Sequence, residues 1–443
     1  MLPLNGFASI VSAVRVTMSY GTQGLDLELP GDWDVTVLAK PPMPVLADPR
    51  AAVTSSLESP LGSGSLGEEA RGRRSACILV CDVTRPVPNA LVLRPLIERL
   101  LGAGLDPRAI TILVATGLHR PNEGAELSRL IGDPWVLERV KVMNHLARED
   151  GQHVQLGTSS LGIPIRLDRR FVEADVRIAV GLVEPRFMAG WSGGRKLVLP
   201  GIAHADAIAA FHAARMIGHA RAATCTLDGN PLHETQLEAL RMLGKVLGVN
   251  VVIDDRRRLS FASFGGIEES HAAAVRFADP YFRVPVLHSF PTVLASGAGF
   301  PLDATYYQAV KGICAGAAIL EPGGELFVAS ACSEGFGSPE FRASQKLLRD
   351  LGKERFRAEA FGRAKSPIDE WETVMLLKAL DAGRVHLFSE GLDGEDRELT
   401  GVLPCADLLG ELGPCVARDP MRRIAIMPEG PYVAAEVKPP CPS

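Results

Sequence analysis

Two apolar, β-branched runs, 76–81 and 110–114, each stop abruptly in a polar loop and give way to helical spacing, at 91–101 and 123–131. A third run, Val176-Arg-Ile-Ala-Val-Gly-Leu-Val183, ends in Glu184-Pro-Arg-Phe-Met-Ala-Gly-Trp-Ser-Gly-Gly-Arg-Lys196. Uninterrupted apolar strands alternating with helices are the signature of a parallel sheet covered on both faces. A further series of strands, 246–253, 292–296, 325–330 and 385–388, continues the pattern, and the alternation Leu25, Leu27, Leu29 predicts a short edge strand. With 443 residues, the chain is long enough for two cores. The expected fold is α/β: two α/β domains with largely parallel sheets and the active site in the cleft between them. The expected division is 1–265 and 266–443, with a polar helix at 268–278 as the linker.

In open sheets of this kind ligands bind beyond the carboxyl ends of the strands. That rule gathers Asp82, Arg85, His119 and the loop bearing Lys196 on one rim. Gly190, Gly193 and Gly194 allow positive φ and close approach, and successive N–H groups there can form an anion-binding nest. Lys196 then reads as a phosphate-binding point charge, a covalent attachment point or an exposed surface amine. The stretch 206–216 has helical spacing, with Asp206 as candidate N-cap, and carries His212. In the second domain a helix presents Tyr307 and Lys311 four residues apart on one face, beside Gln308. A glycine-rich loop follows at 332–338. Each residue has a plain structural reading, and Asp82 and Arg85 could simply pair with each other. As a group they suit one chemistry: Arg forks a carboxylate, one His trades a proton near neutral pH, and a second His ligates a metal. A hydroxy acid engages all three.

Composition excludes several classes. Lys plus Arg is 47 against 52 Asp plus Glu, a net charge of −5 without a basic stripe, which argues against nucleic acid. The eight cysteines lack CxxC or paired spacing, as expected for a reducing cytoplasm. The mildly apolar opening, 1–14, lacks a basic n-region, and no window is long and apolar enough for a membrane span. A cytoplasmic, unanchored protein is expected.

Asp82-Val-Thr-Arg85-Pro-Val-Pro88, Thr116-Gly-Leu-His-Arg120, the segment from Glu184 to Lys196, and Tyr307-Gln-Ala-Val-Lys311 together resemble the lactate racemase family, whose members use a nickel-pincer nucleotide. The likeness runs in order from Tyr20-Gly21 to Pro428-Glu-Gly-Pro431, nearly the whole chain. It implies a racemase or epimerase inverting the 2-carbon of a 2-hydroxy acid. Lys196 would hold the cofactor covalently, the loop glycines Gly193 and Gly194 would cradle it, and His212 would complete a planar nickel site. Asp82 would lie against the pyridinium ring, and His119 would be one of two acid–base histidines. Arg85, Tyr307, Gln308 and Lys311 would bind the substrate, with Trp371 covering the pocket. Cofactor-synthesis proteins would be partners.

The family's second acid–base histidine would fall just after Pro185, and this chain has Arg186 there. A guanidinium keeps its proton at neutral pH and is no general base. Three readings follow: Arg186 takes a second carboxylate or a hydroxyl while His119 serves both faces; His204 or His219 fills the missing role; or the chain is a non-racemising homologue that binds a ligand or performs one-sided redox chemistry. An ordinary zinc or nucleotide site using His119 and His212 is the rival from another class, although no HExxH motif is present. Trp191, where relatives carry a smaller aromatic, is expected to reshape the pocket.

Overall fold

A computed structural model describes residues 13–438, so all but the last two residues of the apolar opening lie outside the described residues. The chain forms two compact units. One comprises Pro41–Phe282 with Glu359–Pro367, and the other comprises the residues up to Lys40, Arg283–Ala358 and Ile368 onward.

The Pro41–Phe282 unit is built on a six-stranded sheet in the order Leu259–Gly266, Leu247–Ile253, Val176–Leu182, Ala76–Cys81, Ile110–Ala115, Lys141–Asn144. All neighbours are parallel except the Leu259–Gly266 edge. Val80 pairs with both Val114 and Val180, and all three side chains are fully buried, so the apolar runs form the centre of the core. From Ala76–Cys81 the chain winds outward through Ile110–Ala115 to Lys141–Asn144. It then returns to Val176–Leu182 and winds the other way. The reversal lies between Ala76–Cys81 and Val176–Leu182, the position at which open α/β sheets leave a crevice.

The other unit has a six-stranded, wholly parallel sheet: Leu403–Cys405, Gly383–Phe388, Leu320–Ala329, Phe290–Ser296, Arg423–Met427, Asp34–Val37. Helices Tyr306–Ala317 and Glu370–Ala382 pack against each other beside it. Two α/β units with mostly parallel sheets are therefore what the strand pattern indicated.

The boundary falls at 282 rather than 265, and for a physical reason. Helix Ile267–Phe282 is not a linker: it buries Ile267, Ser270, Ala274 and Ala278 and packs on the Leu247–Ile253 and Leu259–Gly266 strands, while its His271 is buried against Ser192 and Arg195. The first 40 residues also leave the N-terminal unit, because Asp34–Val37 adds an edge strand to the other sheet. Leu25–Leu29 pairs only with Val14–Met18, as a two-stranded ribbon. The excursion Glu359–Pro367 joins the first unit through Phe361, whose ring lies over Gly218, and Lys365, whose Nζ is 2.6 Å from Asp206 Oδ1.

Candidate active site

Both strands flanking the reversal deliver site residues immediately beyond their carboxyl ends. Asp82 follows Cys81, and its carboxylate is buried at 7% exposure while the His119 side chain beside it is 60% exposed. His119 Nδ1 lies 2.5 Å from Asp82 Oδ2, and Thr84 Oγ1 donates to Asp82 Oδ1 at 2.6 Å. Burial alone would raise the Asp82 pKa, but the bonds from His119 and Thr84 and the Arg85 charge hold it below the usual carboxylate value. An ionised Asp82 accepts from Nδ1–H, which leaves the His119 Nε2 lone pair facing outward. The ion pair considered between Asp82 and Arg85 does not form. Arg85 Nε instead lies 3.8 Å from Glu184 Oε1.

Lys196 sits half-buried in a short 3-10 turn, Gly194–Leu197, beneath the Val176–Leu182 strand end. Burial, then the Arg85 charge, push its amine down to about 8, against opposing influences from Cys81, Asp82 and Glu184. Those four neighbours place Lys196 among the residues of the rim.

The glycines act differently from the expected nest. Gly194 N–H donates to Asn250 Oδ1 at 2.9 Å, and Lys196 N–H to the Gly193 carbonyl at 3.0 Å, so both donors are consumed inside the protein. Gly193, at φ 78°, presses on the strand: a Cβ there would stand 2.7 Å from Val183 Cγ2, and one on Gly181 would stand 2.7 Å from Gly193 Cα. The loop is thus laid flat on the sheet, and this close approach is what holds Lys196 at the rim. Below it, Arg195 is fully enclosed, with Nη1 2.8 Å from His271 Nε2 and Nη2 3.3 Å from the Ala189 and Trp191 carbonyls.

Arg186 begins a two-stranded hairpin, Pro185–Arg186 against Gly190–Trp191. Its Nη1 lies 3.7 Å from the same Glu184 Oε1 that faces Arg85. The hairpin register turns Trp191 inward, 1% exposed and edge-to-face on Phe282 at 6.2 Å, so it packs the core of the loop rather than shaping a pocket.

His212 does not ride on a continuous helix. The helix runs Ala205–Phe211 and stops at His212, before a separate turn Ala214–Ile217. Its N-cap is His204, whose Nδ1 accepts from Asp206 N–H at 3.1 Å, and not Asp206. His212 Nδ1 donates to the Ile208 carbonyl at 3.0 Å, which puts the lone pair on Nε2. Burial first, with the Lys196 charge adding to it, drives its pKa down to about 4, so the ring is neutral and basic at Nε2. His204 is occupied as a cap and lies 3.2 Å from Asp150, and His219 Nδ1 accepts from Arg221 N–H in a local turn. Among the described residues no group of three or more His, Cys, Asp or Glu side chains is arranged to hold a metal by itself.

In the other unit, Tyr307, Gln308 and Lys311 lie on one face of helix Tyr306–Ala317, all half-buried, with Lys311 Nζ hydrogen-bonded to Gln308 Oε1. Trp371 Nε1 donates to Tyr307 Oη at 3.1 Å, and Tyr307 Oη donates to Asp369 Oδ1 at 3.3 Å. Glu372, in the first turn of helix Glu370–Ala382, is 1% exposed, and its Oε1 has no hydrogen-bond partner among the described residues. Burial raises its pKa to about 8, against the pull of Lys311. Glu184, Asn250, Asp369 and Glu372 were not singled out from sequence. Asn250, a polar residue inside the apolar run 246–253, is the one that carried a readable signal.

Asp82, His119, Arg85, Glu184 and Lys196, gathered at the switch point of a doubly wound sheet, define an α/β protein with a candidate ligand site at that rim. Residues 20–225 match the lactate racemase N-terminal domain and residues 289–399 the lactate racemase C-terminal domain. The chain is 31% identical over 358 residues to a lactate racemase of Thermoanaerobacterium thermosaccharolyticum, covering 80% of this chain and 83% of that one. It is 32% identical over 341 residues to a lactate racemase of Lactiplantibacillus plantarum, covering 77% and 80%. The structure of the lactate racemase apoprotein from Thermoanaerobacterium thermosaccharolyticum superposes with a TM-score of 0.85 at 28% identity, covering 95% of this chain and all of that one. A Thermotoga maritima protein shares the fold at a TM-score of 0.62 and 18% identity. The chain belongs to the lactate racemase family.

Proposed function

We propose that this protein inverts the 2-carbon of a 2-hydroxy acid, as a racemase or epimerase, with a nickel-pincer nucleotide held by Lys196 and His212. The observation that carries the reading is the Asp82–His119 pair beside an amine of lowered pKa, at the sheet reversal. The two residues fit the group. With a pKa of about 8, Lys196 has a sizeable neutral fraction near pH 7, the form that can be acylated, and His212 offers a neutral Nε2. When bound, the group supplies an acceptor for hydride from C2 and a donor to return it.

The chain's own residues supply the rest. His119 Nε2 takes the proton of the substrate hydroxyl, and Asp82 steadies the imidazolium through Nδ1–H. The proton goes back from the same nitrogen when the carbonyl is reduced. Arg85 offers its fork to the substrate carboxylate. Arg186 holds its proton throughout, so His119 serves both faces. The non-racemising alternative is not favoured, because the similar proteins are named lactate racemases. Partner proteins that make the cofactor and a cytoplasmic setting belong to the same proposal; no helix among the described residues is long and apolar enough to cross a membrane.

The test is intact mass and peptide mapping after co-expression with cofactor-making enzymes. An adduct on the Lys196 peptide, absent in Lys196→Ala, is expected, and unmodified Lys196 would overturn the assignment.

A further inference from the structure

The guanidinium of Arg186 is unusual among the half-buried arginines of its unit. Arg177 donates to the Phe171, Val172 and Leu243 carbonyls, and Arg170 donates to Asp168, Asn144 and Gln152. Those side chains are structural, with their donors satisfied by the fold. Arg186, only 21% exposed, makes no hydrogen bond among the described residues. Its one charged neighbour is Glu184 Oε1 at 3.7 Å, beyond hydrogen-bond range, and Arg85 approaches that same oxygen at 3.8 Å. Two permanent cations therefore face one carboxylate oxygen from just beyond hydrogen-bond range, next to an amine that burial first, and then the Arg85 charge, press towards neutrality. The hairpin that fixes the Arg186 backbone leaves its five donors without protein acceptors.

We infer that the substrate is a 2-hydroxy dicarboxylate, with Arg85 and Arg186 each receiving one carboxylate. This deepens the proposed function and rests on it. A planar fork matches a carboxylate in bidentate fashion, and one extra anionic group supplies both the missing acceptors and the missing charge. An alkyl or aromatic substituent in the same place would leave a largely buried guanidinium unpaired. The expected histidine, neutral at pH 7, would impose no such demand, so Arg186 is the specificity-determining residue.

The experiment is calorimetric titration of the full chain, with and without cofactor, using 2-hydroxysuccinate and 2-hydroxybutyrate, which share a four-carbon skeleton and differ by one carboxylate. The dicarboxylate is expected to bind about tenfold tighter or more. Arg186→Gln should erase that preference, and Arg186→Lys, which keeps the charge and loses the fork, should retain part of it. Circular dichroism of both variants checks the fold. Equal binding of the two acids by the native chain, or a preference that survives Arg186→Gln, would overturn the inference. A dicarboxylate preference in a loaded chain that inverts no hydroxy acid would keep this ligand class and overturn the racemase reading. Inversion of 2-hydroxybutyrate without any preference would do the reverse.

Discussion

His119 shows how little of a site rests on the functional side chain alone. It is exposed except for its Nδ1 contact with a buried carboxylate, so Asp82 fixes which ring nitrogen faces outward, and in the proposed reaction that is the nitrogen offered to the substrate. Asp82→Asn should therefore lower kcat by about a hundredfold or more, with KM little changed, in a racemisation assay. A change confined to KM would place Asp82 in binding instead. Lys196 gives a second check at this scale. Its pKa is lowered, so the reactive neutral amine appears as pH rises through about 8. In the cofactor-free chain, labelling of Lys196 by an acylating reagent should reach half its maximum near that pH, while exposed lysines require about 10. A midpoint matching the exposed lysines would contradict the burial assigned to it.

Among the elements, the loop that carries Lys196 depends on glycines for packing more than for ligand contact. A methyl on Gly181 would meet the Gly193 backbone at 2.7 Å, and neither side is a flexible side chain that could swing away. Gly181→Ala should cost about 2 kcal/mol in urea unfolding and displace the amine. An unchanged midpoint would mean that the loop does not lie on the strand as described. In helix Glu370–Ala382, Glu372 has a folded pKa near 8, above its value in the unfolded chain, so the folded state holds the extra proton. Stability from this group is full below the unfolded pKa and is lost as pH rises through 8. Glu372→Gln should therefore raise the unfolding temperature relative to the native chain at pH 9 more than at pH 5, and an equal shift at both would refute the sign. The strands themselves were legible in the sequence because buried parallel strands are apolar on both faces, as in 76–81 and 176–183. The break at His212 was not, since Ala213 turns extended with no Gly or Pro to announce it.

Across the whole molecule, the two α/β units and the rim of Asp82, Arg85, His119 and Lys196 followed from strand order and the rule that ligands sit beyond carboxyl ends. The domain boundary did not, because Asp34–Val37 pairs with Arg423–Met427, nearly four hundred residues later. Such long-range pairing leaves no local trace. Glu184 escaped notice for a related reason: its role lies in facing two arginines at once, one of them about a hundred residues earlier. With its cofactor bound this rim is expected to invert a carbinol carbon, and optical purity over time measures that inversion directly. A single enantiomer of a 2-hydroxy acid incubated with cofactor-loaded protein should drift towards an equal mixture, and should not with Lys196→Ala. Full retention of the starting enantiomer across mono- and dicarboxylate substrates, in protein bearing the adduct on Lys196, would contradict the account.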